Sequence, residues 1–193
     1  LAKGSGLDGL ACMEAEQEMD GLSLLRPFLN LFKSEILDFC HDKNIPYVED
    51  PSNEKDQFAR VRLRKSAAIL EQEGLTSKRL SLTAQRLSRA REALDFYAGI
   101  AYDKSLEYKN STRIVLKYKP LIDNPEEVVF RIVSRVFKEF QNGFSYGPRT
   151  EKIEALVERL CSSGEFTTCT LGGFIISVQG NFLVFEKEHE CSK

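Results

Sequence analysis

Val129, Ile132, Val133, Val136 and Phe140 recur at spacings of three and four, which places them on one stripe of an α-helix. The start of that helix is written just upstream. Asn124 is a cap, Pro125 suits the first helical position, and Glu126 and Glu127 complement the helix dipole. Arg131, Arg135 and Lys138 fall off the stripe and are expected in solvent, and Asn142-Gly143 ends the helix. Beyond Gly147-Pro148 a further helix turns Ile153, Leu156, Val157 and Leu160 inward. The chain then changes character. Residues 166–171, 174–178 and 182–186 are rich in Thr, Phe, Ile and Val, the usual strand formers. Gly172-Gly173 and Gln179-Gly180-Asn181 supply the turns between them. Three strands on a helical layer predict a small antiparallel sheet at the C-terminal end of a mostly helical α+β chain.

Upstream, the pattern is less regular. Residues 1–12 read as a glycine-rich turn with a short following segment, and Asp20-Gly21 is a turn signal that makes residues 22–26 one arm of a hairpin. Residues 33–43 predict a helix with Ser34 as cap and Ile36, Leu37, Phe39 and Cys40 as apolar face. His41 falls on its solvated side, and Asn44-Ile45-Pro46 stops it. Tyr47-Val48 reads as a short buried or strand-like piece. A helix ending at Gly74 carries Leu63, Ala67 and Leu70. Thr76 or Ser77 then starts a long helix that extends to Tyr108, with Leu87, Ala90, Leu94, Tyr97 and Ala101 as its apolar stripe. Lys78, Arg79, Arg86 and Arg89 share one flank of it, about a quarter to a third of a turn across. Residues 112–118 look like a strand or connector.

The 193 residues suffice for one large domain or two small ones, and the expected boundary lies between Lys65 and Lys78. No apolar run approaches membrane-spanning length, and no secretory signal is visible, so a cytoplasmic protein without a membrane partner is expected. The chain opens on Leu1, which suggests a fragment or a processed product. Its five cysteines form no C-x-x-C pair, and His41 and His189 complete no metal set, so reduced thiols and no metal site are expected. The formal net charge of −2 conceals an asymmetry. Residues 1–54 carry four basic and eleven acidic side chains, net −7, whereas residues 55–92 carry ten basic and four acidic, net +6. A basic middle of this kind attracts phosphates.

The basic stretch begins in residues 46–65. An acidic turn, Glu49-Asp50-Pro51-Ser52-Asn53, runs into arginines at alternate positions, Arg60, Arg62 and Arg64. A helix starting near residues 53–55 puts Arg60 and Arg64 on one face and Arg62 elsewhere. This segment resembles the end of the ATP-using domain of tRNA(Ile)-lysidine synthetases, in which a D-P-S-N turn precedes a phenylalanine and an R-N-x-x-R run. Here the match is Asp50, Pro51, Ser52 and Asn53, then Phe58, Arg60 and Arg64, with Val61 in place of the family's asparagine. Lys3-Gly4-Ser5-Gly6 with Gly9-Leu10 resembles the family's R-G-S-G-x-x-G-L, with lysine for arginine. Arg26-Pro27-Phe28-Leu29 resembles its R-P-L-L, and Thr168, Leu171, Gly172, Gly173 and Ile176 resemble the tail of its central domain.

The resemblance implies two parts: residues 1–70 as the C-terminal part of a PP-loop ATP-pyrophosphatase-like domain, and residues 76–188 as a helical tRNA-binding domain with C-terminal strands. It also implies a reaction in which ATP, with Mg, activates the wobble cytidine of tRNA(Ile) and free lysine displaces AMP. The family's phosphate loop, S-G-G-x-D-S, has no counterpart in this sequence, which contains no S-G-G run. The expectation is therefore a fragment that begins after the catalytic loop. It holds no catalytic residue, binds no cofactor alone and does not turn over ATP. Lys3, Gly4, Ser5, Gly6, Arg26, Asp50, Asn53, Arg60 and Arg64 are candidates for the ATP or tRNA site of the whole enzyme. Arg60 and Arg64 are the first choices there, because guanidinium groups bind phosphate in a two-pronged way. Lys78, Arg79, Arg86 and Arg89 are the tRNA-binding candidates. Strands taken from a larger sheet can pair with another copy, so a homodimer is also expected. A second reading stays open, a non-catalytic helical protein-interaction module with no RNA role.

Overall fold

The computed structural model describes residues 6–11, 13–19, 21–48, 66–140, 147–162 and 166–188. The chain divides into two compact units, residues 1–89 and 90–193.

In the first unit a short helix α1 (Leu7–Leu10) precedes an antiparallel hairpin of β1 (Glu16–Met19) and β2 (Leu22–Leu25). Gly21 makes the turn at φ +77°, a left-handed torsion that costs glycine little. Helix α2 (Lys33–Asp42) begins one residue before the expected cap, Ser34. Its first turn is satisfied instead by Glu35, whose carboxylate accepts the Phe32 N–H at 2.6 Å. Asn44, at φ +50°, closes the helix, and the Ile45 N–H reaches back to the Cys40 carbonyl at 2.8 Å. Tyr47 and Val48 are neither buried nor in a strand: both are exposed, Val48 to 93%. Helix α3 (Ala67–Gln72) ends at Gly74, φ +84°, with the Leu75 N–H on the Leu70 carbonyl at 2.8 Å. The expected start of that helix near residues 53–55, and Leu63, lie outside the described residues.

Helix α4 (Ser77–Ser105) is the long helix, and its last turns bury Ala98, Ala101, Tyr102 and Ser105. Two expectations fail here. Of the stripe Leu87, Ala90, Leu94, Tyr97 and Ala101, only Ala101 is buried, and Tyr97 remains 49% exposed. The buried face is rotated by about 50° from the stripe at 3.6 residues per turn. The helix also stops at Ser105, because Leu106–Lys109 is claimed as a strand by a neighbour, a tertiary pairing that overrides local propensity.

The second unit is built on a five-stranded antiparallel sheet. Its strands are β3 (Leu106–Lys109), β4 (Arg113–Lys117), β5 (Cys169–Leu171), β6 (Phe174–Gln179) and β7 (Phe182–Lys187), in the order β3-β4-β7-β6-β5. The expected three-stranded sheet is thus extended by β3 and β4, and residues 166–168 fall outside β5. Ile114 and Leu116 of β4 pair with Phe185 and Leu183 of β7, and all four are buried. Gly172 and Gly173, at φ +61° and +81°, turn the chain from β5 to β6. A β-carbon on Gly172 would lie 2.6 Å from Pro148 Cγ, so this turn needs glycine twice over. Helices α5 (Tyr118–Ile122), α6 (Glu126–Phe140) and α7 (Thr150–Cys161) complete the unit. Val129, Ile132, Val133 and Val136 of the α6 stripe are buried as expected, Phe140 packs half-buried against them, and Val128 and Phe137 join the core. All four inward residues of α7 are buried. Asn124 does not cap α6 through its side chain. Its amide instead donates to the Pro120 and Leu121 carbonyls at 2.7 and 3.0 Å and closes α5. No helix among the described residues is long and apolar enough to cross a membrane.

Candidate nucleic-acid interface

Thr76 sets the start of the basic flank of α4. Its hydroxyl accepts the Arg79 N–H at 3.2 Å, an N-cap that fixes where the helical register begins. From that register Lys78, Arg79, Arg86 and Arg89 fall within about 100° of arc, and all four are exposed. Arg79 is partly committed, since its Nη1 donates to the Gly74 carbonyl at 3.0 Å and straps α4 to the turn after α3. Lys78, Arg86 and Arg89 form no ion pair among the described residues. They are therefore cations whose charge is open to an external anion, and the flank is a ridge about 17 Å long at 1.5 Å per residue.

The cations of the second unit behave differently. Arg131, expected in solvent, is only 8% exposed. It pairs with Asp95 at 2.6 Å and with Glu127 at 2.8 Å, which explains how a guanidinium can sit on the inner side of α6. Arg135 lies 4.2 Å over the Tyr102 ring and donates to Glu139 at 3.0 Å. Glu139 also accepts Lys109 Nζ at 2.6 Å and the Tyr102 hydroxyl at 2.7 Å. One carboxylate thus ties β3, α4 and α6 together. A cavity of about 580 Å³ on this unit is lined by Glu126, Glu127, Glu151, Glu154 and Glu158, a surface that repels phosphate. Lys104, Lys119, Lys138, Arg149, Lys152 and Lys187 of this unit are exposed as well, so what sets the first half of α4 apart is four cations gathered on one flank within twelve residues.

The Glu139 node carries a pH signature. Burial pushes its carboxyl up, but hydrogen bonds from Lys109, Tyr102 and Arg135 outweigh that and hold it below its ordinary value of 4.5. Burial, and then the bond to Glu139, push the Tyr102 phenol well above its own ordinary value. A depressed carboxyl contributes stability that is present above the ordinary value and lost as pH falls through the folded one. The second unit should therefore lose stability as pH drops below 4.5, and Glu139→Gln should be weaker at neutral pH with a shallower acid loss. Urea unfolding at pH 7 and pH 3.5 reads both. An acid loss equal in the two proteins would remove Glu139 from the account.

Of the N-terminal candidates, Lys3, Gly4, Ser5, Asp50, Asn53, Arg60 and Arg64 lie outside the described residues. Gly6 precedes α1 at φ −73°, and a β-carbon there would meet open space, so the backbone by itself does not require glycine. Arg26 is a hairpin clamp. Its guanidinium donates to the Glu14 carbonyl at 2.9 Å and to Gln17 Oε1 at 3.3 Å. The structure thus brings the α4 cations together and gives Arg26 a separate local task. Reasoning from sequence missed the Glu139 node, because Lys109 and Tyr102 lie 30 and 37 positions before Glu139 and meet it only in the folded sheet–helix layer.

Residues 1–71 match the family model of a PP-loop domain. Over 97% of its length the chain is similar to a tRNA(Ile)-lysidine synthase of Methylobacterium nodulans, at 35% identity and covering 57% of that protein. It is also similar to those of Ruegeria pomeroyi, at 31% identity and 44% of the relative, and of Wolbachia pipientis, at 27% and 43%. The chain spans about half the length of the curated relatives it matches.

Proposed function

We propose that this chain, a relative of the tRNA(Ile)-lysidine synthases with a PP-loop match over its first 71 residues, is the tRNA-gripping part of an ATP-dependent carbon–nitrogen ligase. In the whole enzyme ATP, with Mg, activates the wobble cytidine of tRNA(Ile), and the amine of free lysine displaces AMP. The single observation that carries the reading is the α4 ridge, a run of exposed cations of which Lys78, Arg86 and Arg89 form no ion pair among the described residues, in a chain similar over 97% of its length to such a synthase. Phosphate contacts of that kind position an RNA and read little sequence. Arg60 and Arg64 face the ATP or anticodon site, and Asp50 and Asn53 hold the turn before them. Lys3, Gly4, Ser5 and Gly6 are further candidates for the same site, and Arg26 is one only if it leaves its clamp on Glu14 and Gln17. Residues 1–70 close the nucleotide domain and residues 76–188 form the tRNA-binding domain. The protein works in the cytoplasm, and a homodimer forms through unpaired strand edges of the first part.

The absence of an S-G-G run from the sequence supports an ATP-inactive chain. The 193-residue protein should show no ATP–pyrophosphate exchange. Exchange above background that Arg60→Ala abolishes would overturn this part of the reading.

One observation favours the protein-interaction alternative. Among the described residues of the first unit only Ala11 is buried, while Leu22, Leu25, Phe28 and Phe39 are exposed. Apolar side chains exposed in this way are open to a polypeptide partner, and they lie on other elements than the α4 ridge.

A further inference from the structure

Helix α4 exposes more than cations. Phe96 is 73% exposed, and Tyr97 and Ile100 are also open. Counted from Lys78 at about 100° per residue, Phe96 and Arg89 fall within about 20° of it, Ile100 near 40°, and Lys104 and Tyr97 near 80° and 100°. The aromatic residues thus continue the arc that Lys78, Arg86 and Arg89 begin, about two to five turns along the same uninterrupted helix. No Asp or Glu of α4 falls within that arc. Glu92 and Asp103 flank its Phe96 edge, and Asp95 is engaged by Arg131. The buried side chains Ala98, Ala101, Tyr102 and Ser105 lie about half a turn from Phe96. Exposure of Phe96 is therefore not the margin of a core contact. Neither Phe96 nor Tyr97 packs against another aromatic ring among the described residues.

We infer that Phe96 and Tyr97 form a stacking platform for unpaired bases of RNA, placed beyond the phosphate-binding cations of the same helix face. The inference rests on the reading of α4 as an RNA-facing helix and adds to it a preference for unpaired over duplex RNA. Charge favours RNA over a protein partner: Lys78, Arg86, Arg89 and Lys104 lie within the arc, and the carboxylates Glu92 and Asp103 stand only at its Phe96 edge. A surface that joins cations to exposed aromatic rings is the arrangement by which proteins hold single strands, with phosphate on the cation and base on the ring. An A-form duplex keeps its bases stacked internally and offers the ring nothing.

The test separates the two parts of the surface. The chain, its Phe96→Ala/Tyr97→Ala variant and a Phe96→Tyr/Tyr97→Phe variant are titrated with a single-stranded RNA and with a duplex of equal length across a salt series. The substituted side chains are exposed, so unfolding midpoints should stay within a degree or two of the parent. The alanine variant should lose about tenfold or more in affinity for the single strand. It should keep the parent's slope of log affinity against log salt and its duplex affinity, and the aromatic exchange should restore binding. The chain has no tryptophan, so quenching of tyrosine emission by the single strand, diminished in Tyr97→Phe, reports the contact directly. Unchanged single-strand affinity in the alanine variant, or an equal loss on duplex, would overturn the platform while leaving the cation ridge standing. Conversion of a parent dimer to monomer by the alanine pair, with RNA binding intact, would overturn it in favour of a protein contact. Failure of the parent to bind either RNA would overturn both the platform and the reading beneath it.

Discussion

Phe137→Ala will cost the second unit about 3 to 5 kcal/mol of unfolding free energy, the range for removing a large aromatic side chain from a close-packed interior. Phe137 is 2% exposed. It meets Phe174 of β6 and Phe185 of β7 edge-on, at centroid distances of 6.0 and 5.9 Å, so it joins α6 to two central strands. Phe140, one turn later, stacks on Phe174 at 4.3 Å and cannot swing into the space left behind without giving up that contact. Domains of this size are stable by roughly 5 to 15 kcal/mol, so the variant should sit near its unfolding midpoint in little urea. Phe182→Ala, at a more exposed position of β7, should cost well under half as much. A loss below about 1 kcal/mol at Phe137 would mean that the core is not packed as described.

Reversing Arg86 and Arg89 to glutamate together will weaken tRNA binding on the order of 10- to 100-fold at moderate salt, with a flatter salt dependence. Each cation that neutralises a phosphate releases a counterion, so removing two should reduce the slope of log affinity against log salt by about 2. The loss should be alike for all tRNAs, since backbone contacts carry little sequence information. The same pair lies on an exposed flank and forms no ion pair among the described residues, so its reversal should leave stability within about 0.5 kcal/mol. Equal affinities and equal slopes for parent and variant would return the four cations to the role of an ordinary solvated face.

The legibility of this chain followed how local each signal was. The stripe of α6 and the inward face of α7 were readable because helical periodicity places both on one side whatever the neighbours do. The glycine turns at Gly21, Gly74 and Gly172-Gly173 were readable because their torsions exclude most other residues. Strand β3 was not readable. Leu106–Lys109 continues a helical pattern, and only pairing with β4 converts it. The stripe assigned to α4 failed for a related reason. Its apolar residues are spread around much of the helix, so the packed side is chosen by the rest of the unit, and Phe96 and Tyr97 fall outside it. Arg131 has the position of a solvent residue but finds Asp95 from another helix 36 positions away. On the candidate site, the charge asymmetry and helical spacing located the α4 cations. Separating Arg79, used in strapping a turn, from Arg86 and Arg89, left open, required side-chain geometry.

The central claim is that the open cations of α4 hold tRNA by its phosphates. It is tested most directly by titrating the unmodified chain with tRNA between 50 and 200 mM salt and following fluorescence anisotropy. Three or four neutralised phosphates predict a straight line of log affinity against log salt with a slope between about −2 and −4. No binding at the lowest salt, or a slope near zero, would contradict the claim.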